Sequence, residues 1–432
     1  MSWGTCGRLE SPTVTLPDPR IPRDVGLEWR LLALTARTDA VSSVEEAIQA
    51  AAARASDWQL FVGLAWRHGV TGLVSTTLSR LPQAQVPSAV RGSLADAHRA
   101  VARANLRLTW DLHRVLGILA EEEIPVLPLK GPVLASRAYG DVSLRSFVDL
   151  DLLVREEDMN PAIRALQAAG LTPEPTHAKI PEELLRRWGS AVPFITHDGS
   201  PVELHWRFSS AFWQSRLEPR DLFARAAPRD WMGRPVLWLT PEDQLLFLCT
   251  HASRHGWSRL IWICDVAETL RSEDVDWGVL LPRAAGVGAL RILHLGVRLA
   301  RSLLGAPVEP HVMGRFPVDP LVARLEKQVL RVSTGEEVSA LSEFLVHVRS
   351  RDRLEDQWAF FFGSVLTPST EDLVSGFGRM PASAYPLWRV LRLARKYLRE
   401  RRGPLGWRWE RRPLGAMMPD GGSAGRLRGE ES

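Results

Sequence analysis

One ten-residue run constrains this chain more than any other: Arg-Ser-Phe-Val-Asp-Leu-Asp-Leu-Leu-Val at 145–154. Its alternation reads as a β-strand, in which every second side chain returns to the same face. Asp149 and Asp151 therefore share one face, with Val148, Leu150 and Leu152 on the other. Two acids ~7 Å apart on a strand repel, and burying either without a partner is costly. A divalent cation between them removes that cost, and Mg2+ favours one or two carboxylates completed by phosphate oxygens and water.

A second run, 202–208, repeats the pattern: Glu203, His205 and Arg207 take one parity and the apolar residues the other. With the two strands as neighbours, Glu203 can approach the aspartate pair. Three carboxylates can then hold two metals ~3.5–4 Å apart, one activating an attacking oxygen and one stabilising a leaving pyrophosphate. Upstream, Val126-Leu127-Pro128-Leu129 reads as a short strand, broken by Lys130-Gly131-Pro132, with Pro132 suited to the first turn of a helix ending at Tyr139. Gly131 lets the backbone approach an anion, the helix start offers N–H groups, and Lys130 adds a positive charge. Arg145 shares the parity of the aspartates, so it reads either as a phosphate ligand or as an ion-pair partner of nearby acids. His205 reads either as a group that orients the site or as a hydrogen-bonded structural histidine. Each acid, taken alone, also suits a solvated strand face.

Around this segment the sequence is helical. Residues 28–81 carry a helical period, and 88–122 reads as one long helix capped by Ser88, its stripe including Val101, Leu106, Leu108, Leu112 and Leu119. Residues 162–169 are helical, with Gly170 as the stop. The run 191–196 pairs with 201–208 through His197-Asp198-Gly199-Ser200, a hairpin turn. Thr240-Pro241-Glu242-Asp243 is a helix start, followed by helices at 242–255 and 258–271 and further helical sequence at 277–304, 320–332, 337–348, 354–362 and 385–401. His251 and His255 lie four apart on one helix. No cysteine pair completes a zinc set with them, so hydrogen bonding with Asp265 across the helix pair is the plainer expectation. Trp257, Trp262 and Trp277 read as core.

Three stretches resemble one known family: LPLKGPVLASRAYGDVSLRSFVDLDLLV, then VELHWRF, then HASRHGWSRLIWICDVAETL. In this order they are similar to a bacterial family of uncharacterised nucleotidyltransferases in the DNA polymerase β-like superfamily. The motif-bearing part, 126–270, covers about a third of the chain. The resemblance implies a small mixed sheet with helices on one side, Mg2+, and transfer of a nucleoside monophosphate from an NTP, ATP foremost, to an acceptor. It further implies Asp149 and Asp151 as paired metal ligands, Glu203 as the third carboxylate, and Gly131 in the phosphate-binding turn. Where the superfamily has Gly-Ser or Gly-Gly, this chain has Gly131-Pro132, and Pro132 offers neither hydroxyl nor N–H. The alternative is thus a degenerate member that binds a nucleotide or a partner protein.

The expectation is an α+β protein: a leader at 1–26, a helical region at 27–122, a nucleotidyltransferase-like core at 123–227, a helical region at 228–402 and a disordered basic tail at 403–432. No run of ~18 apolar residues suggests a membrane span, and the leader has no apolar stretch of ~7–15 residues, so a cytoplasmic protein is expected. Three cysteines, Cys6, Cys249 and Cys264, make no disulfide framework. The net charge of +4 is local: 387–412 holds ten basic and two acidic residues, leaving −4 for the remainder. With its tryptophans, that stretch suits weak contact with an anionic membrane surface or nucleic acid, although a solvated tail is the plainer reading. Acceptor and oligomeric state leave no mark in the sequence.

Overall fold

In the computed structural model, the described residues are 26–39, 42–82, 85–175, 177, 180–208, 216–334, 340–368, 372, 385 and 387–392. The expected leader, apart from Gly26, and the basic tail from 393 onward lie outside them. The fold is α+β, as expected. Its centre is a five-stranded mixed sheet in the order β1-β2-β5-β4-β3, with β1 at Leu127–Pro128, β2 at Leu150–Leu153, β3 at Thr172–Pro173, β4 at Ala191–Ile195 and β5 at Pro201–His205. The pair β2–β5 is parallel and the other pairings are antiparallel. A parallel pair needs a long crossover. Here it holds the helix Met159–Ala168, β3, the helix Glu182–Trp188 and β4.

The period of two divides the sheet into unlike faces. Leu150, Leu152, Val202 and Leu204 are buried and join one apolar cluster with Leu108, Leu112, Val115 and Leu119 of the helix Ser88–Glu121 and with Ala162 and Leu166 of Met159–Ala168. The opposite face carries Asp151, Glu203 and His205. Towards the β1 edge stands the helix Pro241–Arg254, whose Gln244 donates to the Leu129 carbonyl at 3.2 Å. Its start is as expected: the Thr240 side chain accepts from the Asp243 N–H, with Pro241 in the first turn. The β4–β5 turn also matches, with Thr196 and Ser200 closing it and Gly199 at φ 82°.

Several expectations are corrected. The strand expected over 145–154 is ordered as strand only at Leu150–Leu153. Residues before it answer to other partners: Phe147 is buried in the core, while Val148 is exposed rather than packed with Leu150. Leu106 is likewise exposed, pointing away from the buried stripe of its helix. Ser88 is the first residue of that helix and not its cap, because Pro87 holds the cap position. The region read as helical from 228 contains a hairpin, β6 at Ala227–Trp231 and β7 at Arg234–Trp238, turning at Met232 and Gly233 with positive φ. The stretch 277–304 divides into Trp277–Gly286 and Leu290–Leu304.

The loop leading into β2 is clamped from three sides. Asn105 donates to the carbonyls of Val142 and Arg145 at 2.6 and 2.8 Å. Gly72 lies against Ser143 and Leu144 so closely that a Cβ there would sit 2.5 Å from the Ser143 carbonyl oxygen. The buried Arg145 guanidinium makes a two-pronged pair with Asp265 on the helix Leu260–Ser272, at 2.7 and 2.8 Å, and the Tyr139 hydroxyl donates to the same carboxylate at 2.7 Å. Removing one partner of a buried ion pair strands the other charge. Asp265→Ala is therefore expected to cost about 3–5 kcal/mol of folding stability, measured by urea unfolding. A loss of under about 1 kcal/mol contradicts this account of the clamp.

Candidate active site

Asp151 is the centre of the polar face. It lies between Leu150 and Leu152, whose burial turns its carboxylate to the other side of the sheet. Register places Glu203 directly opposite it on β5. His205, two residues further on, bridges the acids: its Nε2 is 3.2 Å from Asp151 Oδ1 and 3.3 Å from Glu203 Oε2. Lys130 closes the other side, with Nζ 2.9 Å from Asp151 Oδ2 and 3.7 Å from Asp149 Oδ1.

Gly131 adopts φ 67° and ψ −137°, a backbone conformation open to glycine and strained for other residues. That bend brings the turn against the acids: a Cβ on Gly131 would lie 3.7 Å from the Asp149 carbonyl oxygen. The helical segment that follows starts at Pro132 and continues as a π-turn to Tyr139. The Leu129 N–H donates to the Asp151 carbonyl at 3.0 Å, tying the start of the bend to β2.

Thus Lys130, Gly131, Asp149, Asp151, Glu203 and His205 come together, whereas Arg145 does not join them. Its guanidinium is engaged by Asp265, which in turn is bonded to Arg145 and Tyr139 rather than to His251 or His255 as expected. Arg207 leaves the group for Glu156, at 3.0 and 3.1 Å. The two histidine rings instead lie tilted against each other, with centroids 4.6 Å apart and planes at 56°, and His255 stacks on Trp262 at 4.8 Å. Trp257 is wholly buried, and Trp262 and Trp277 pack against the core, as expected. Sequence reading missed Arg254, between the two histidines. It donates to the Phe208 carbonyl at 3.3 Å, just beyond β5, and feels the charges of Glu203 and Asp151. Only its place inside the HASRHGW stretch could have signalled it.

Electrostatics separate these groups. Burial, which Lys130 only partly offsets, raises the Asp149 carboxyl to about 6. Burial also presses on Asp151, but Lys130 and the His205 hydrogen bond outweigh it and hold this carboxylate far below the ordinary range. The His205 hydrogen bond lowers Glu203 as well. Lys130 stays firmly protonated, because Asp149 and Asp151 overcome its desolvation. His251 is pushed well down by burial, with Lys130 and His255 adding to the effect, and is a neutral ring beside a charged cluster. His205 goes the other way: its bonds to Asp151 and Glu203 exceed the burial penalty and raise it to about 9.

Asp151, Glu203 and His205 can each offer one ligand atom with all three atoms within 4.8 Å of one another. Two hard oxygens and an imidazole nitrogen suit a divalent cation such as Mg2+ or Mn2+. Of the expected Asp149, Asp151 and Glu203, this set contains the last two; it leaves out Asp149 and takes in His205, because β5 carries two polar residues on the same face. Without a metal, the folded chain binds more protons at His205 than the unfolded chain between its ordinary value of 6.5 and about 9. Stability therefore falls as pH rises through that window. Melting temperatures of the metal-free protein are expected to decline from pH 6.5 to 9, and His205→Gln to flatten the decline. A wild-type curve level over this range removes His205 from the charge balance.

The family model described as "Uncharacterised nucleotidyltransferase" matches residues 54–305, which is well over half of the chain and contains the sheet, the bend and the histidine helix. No curated protein and no solved structure matches this sequence. The chain belongs to the family of uncharacterised nucleotidyltransferases.

Proposed function

We propose that the chain is a Mg2+-dependent enzyme that moves a nucleoside monophosphate from an NTP, ATP foremost, to an acceptor hydroxyl and releases pyrophosphate. Its working part is the core at 123–227, of the DNA polymerase β-like kind. The observation that carries this reading is the pairing of Asp151 with Glu203 on parallel neighbouring strands, beside a glycine bend so near that a Cβ on Gly131 would lie 3.7 Å from the Asp149 carbonyl oxygen.

In this reading Asp151, Glu203 and His205 hold the cation, and Asp149 completes the negative field. Bound Mg2+ supplies positive charge at the reacting phosphate. The bend at Gly131 receives the triphosphate, with Lys130 providing the ammonium next to it. The acceptor oxygen forms a new bond to the α-phosphorus as the bond from that phosphorus to the bridging oxygen breaks. The bridging oxygen leaves with pyrophosphate. The acceptor proton passes to Glu203, whose side chain is 42% exposed against 8% for Asp151 and so meets solvent and acceptor. His251 and His255, neutral and in ring contact, form a wall beside this cluster.

The Gly131-Pro132 pair favours a second reading, a member that binds nucleotide without turnover, since Pro132 cannot donate to phosphate. One experiment separates the two. Purified chain is incubated with α-labelled NTPs, Mg2+ and cell extract, alongside Asp149→Asn with Asp151→Asn. Transfer of label is expected with wild type and a loss of at least ~100-fold with the double variant, the scale on which removing charge stabilisation slows an enzyme. Equal labelling by both proteins refutes the transferase. Saturable NTP binding with no transfer supports the binding-only form.

A further inference from the structure

The two oxygens of Asp151 face different cations. Oδ1 meets His205 Nε2 at 3.2 Å, and Oδ2 meets Lys130 Nζ at 2.9 Å. The same ammonium is 3.7 Å from Asp149 Oδ1. It therefore sits between the two aspartates, in the place of a cation that would bridge Asp149 Oδ1 and Asp151 Oδ2. Oδ2 is buried and takes no hydrogen bond of good geometry, so its contact with Lys130 is a charge contact.

The root of this lysine is fixed. Leu129, just before it, donates to the Asp151 carbonyl at 3.0 Å and accepts from Gln244 at 3.2 Å. Gly131, just after it, is held in its left-handed bend. With its side chain only 14% exposed, the ammonium has little solvent to turn towards. The ligand set Asp151, Glu203 and His205 lies on the other side of Asp151 and closes without Asp149.

The charges agree with this division. Three carboxylates bring −3 and Lys130 brings +1, so one divalent cation neutralises the site with His205 as a neutral ligand. A second ion between the aspartates would have to share their oxygens with the ammonium. At a few ångströms, two like-signed charges repel measurably even in water-like surroundings.

We infer that Lys130 is the resident counter-cation of the Asp149–Asp151 pair, so that the nucleotide-free site takes no more than one divalent cation, on Asp151, Glu203 and His205. This rests on the transferase reading of the same residues and narrows it: one of the two metal positions that three carboxylates allow is filled by a side chain.

Mn2+ titration of the full chain, followed by electron paramagnetic resonance without nucleotide, tests this. Wild type and Lys130→Arg, which keeps the charge, are expected to bind at most one Mn2+. Lys130→Met, of similar length and uncharged, is expected to bind a second Mn2+ or to bind the first ~10-fold more tightly, as removal of one nearby charge predicts. Circular dichroism checks that each variant is folded, and Lys130→Gln replaces Lys130→Met if the latter is not. Two Mn2+ in wild type, or a neutral variant indistinguishable from wild type, overturns the inference. Asp151→Asn keeps the two readings apart. Mn2+ binding that survives this change sinks Asp151 as a ligand and with it the proposed transferase site. Binding lost in Asp151→Asn but unmoved by neutralising Lys130 sinks only the role of the lysine.

Discussion

The carboxylate of Asp151 is buried, and everything around it answers to that fact. A buried charge is tolerated only when opposite charge and hydrogen bonds compensate it. Asp151 meets this condition with one cation on each oxygen, Lys130 from the loop after β1 and His205 from β5. Those two side chains come from segments 75 residues apart in number, so the charge of Asp151 is satisfied only when β1, β2 and β5 are in register. The same arrangement leaves Glu203 in part solvent-exposed and Asp149 raised, giving five ionisable groups unlike affinities for protons within one small face. Environments that drive neighbouring titratable groups apart are characteristic of sites that do chemistry.

The helices hold this face open by occupying the other one. Leu150, Leu152, Val202 and Leu204 are sealed against the long helix Ser88–Glu121 and the crossover helix. At ~25 cal/mol for each Å2 of apolar surface removed from water, that seal is the main force fixing which way the acids point. Polar clamps do a different task. Asn105, Gly72 and the Arg145–Asp265 pair hold the loop that delivers Asp149, joining the sheet to helices that precede and follow it in sequence. Among the described residues, no helix is long and apolar enough to cross a membrane.

Much of the site is legible in the amino-acid sequence. The parity of Asp149-Leu150-Asp151 and of Glu203-Leu204-His205 is a property of strands and needs no tertiary information. The hairpin turn at Asp198-Gly199 and the helix start at Thr240 are readable for the same reason, since local chemistry decides them. Expectation and fold part where local signals compete with distant ones. Val148 has the right parity for the core but precedes the paired stretch of β2, so no neighbouring strand holds it inward. Arg145 has the parity of the acids but is drawn to Asp265, 120 residues away, because that carboxylate offers two parallel bonds within a buried setting. The hairpin at 227–238 is hidden in the sequence because Met232-Gly233 is a weaker turn signal than Asn-Gly.

The amino-acid order alone determined the alternation of acids and leucines, the glycine bend after the first strand and the helical surroundings. These follow from periods of two and 3.6 and from the freedom of one residue without a side chain. Only the tertiary structure decided that Glu203 stands opposite Asp151, that His205 joins the metal-capable group, that Arg145 serves as a clamp, and that Lys130 lies between the aspartates. Pairing between strands and between buried charges depends on which distant segments meet, and a one-dimensional pattern carries the faces of each strand but not its neighbours.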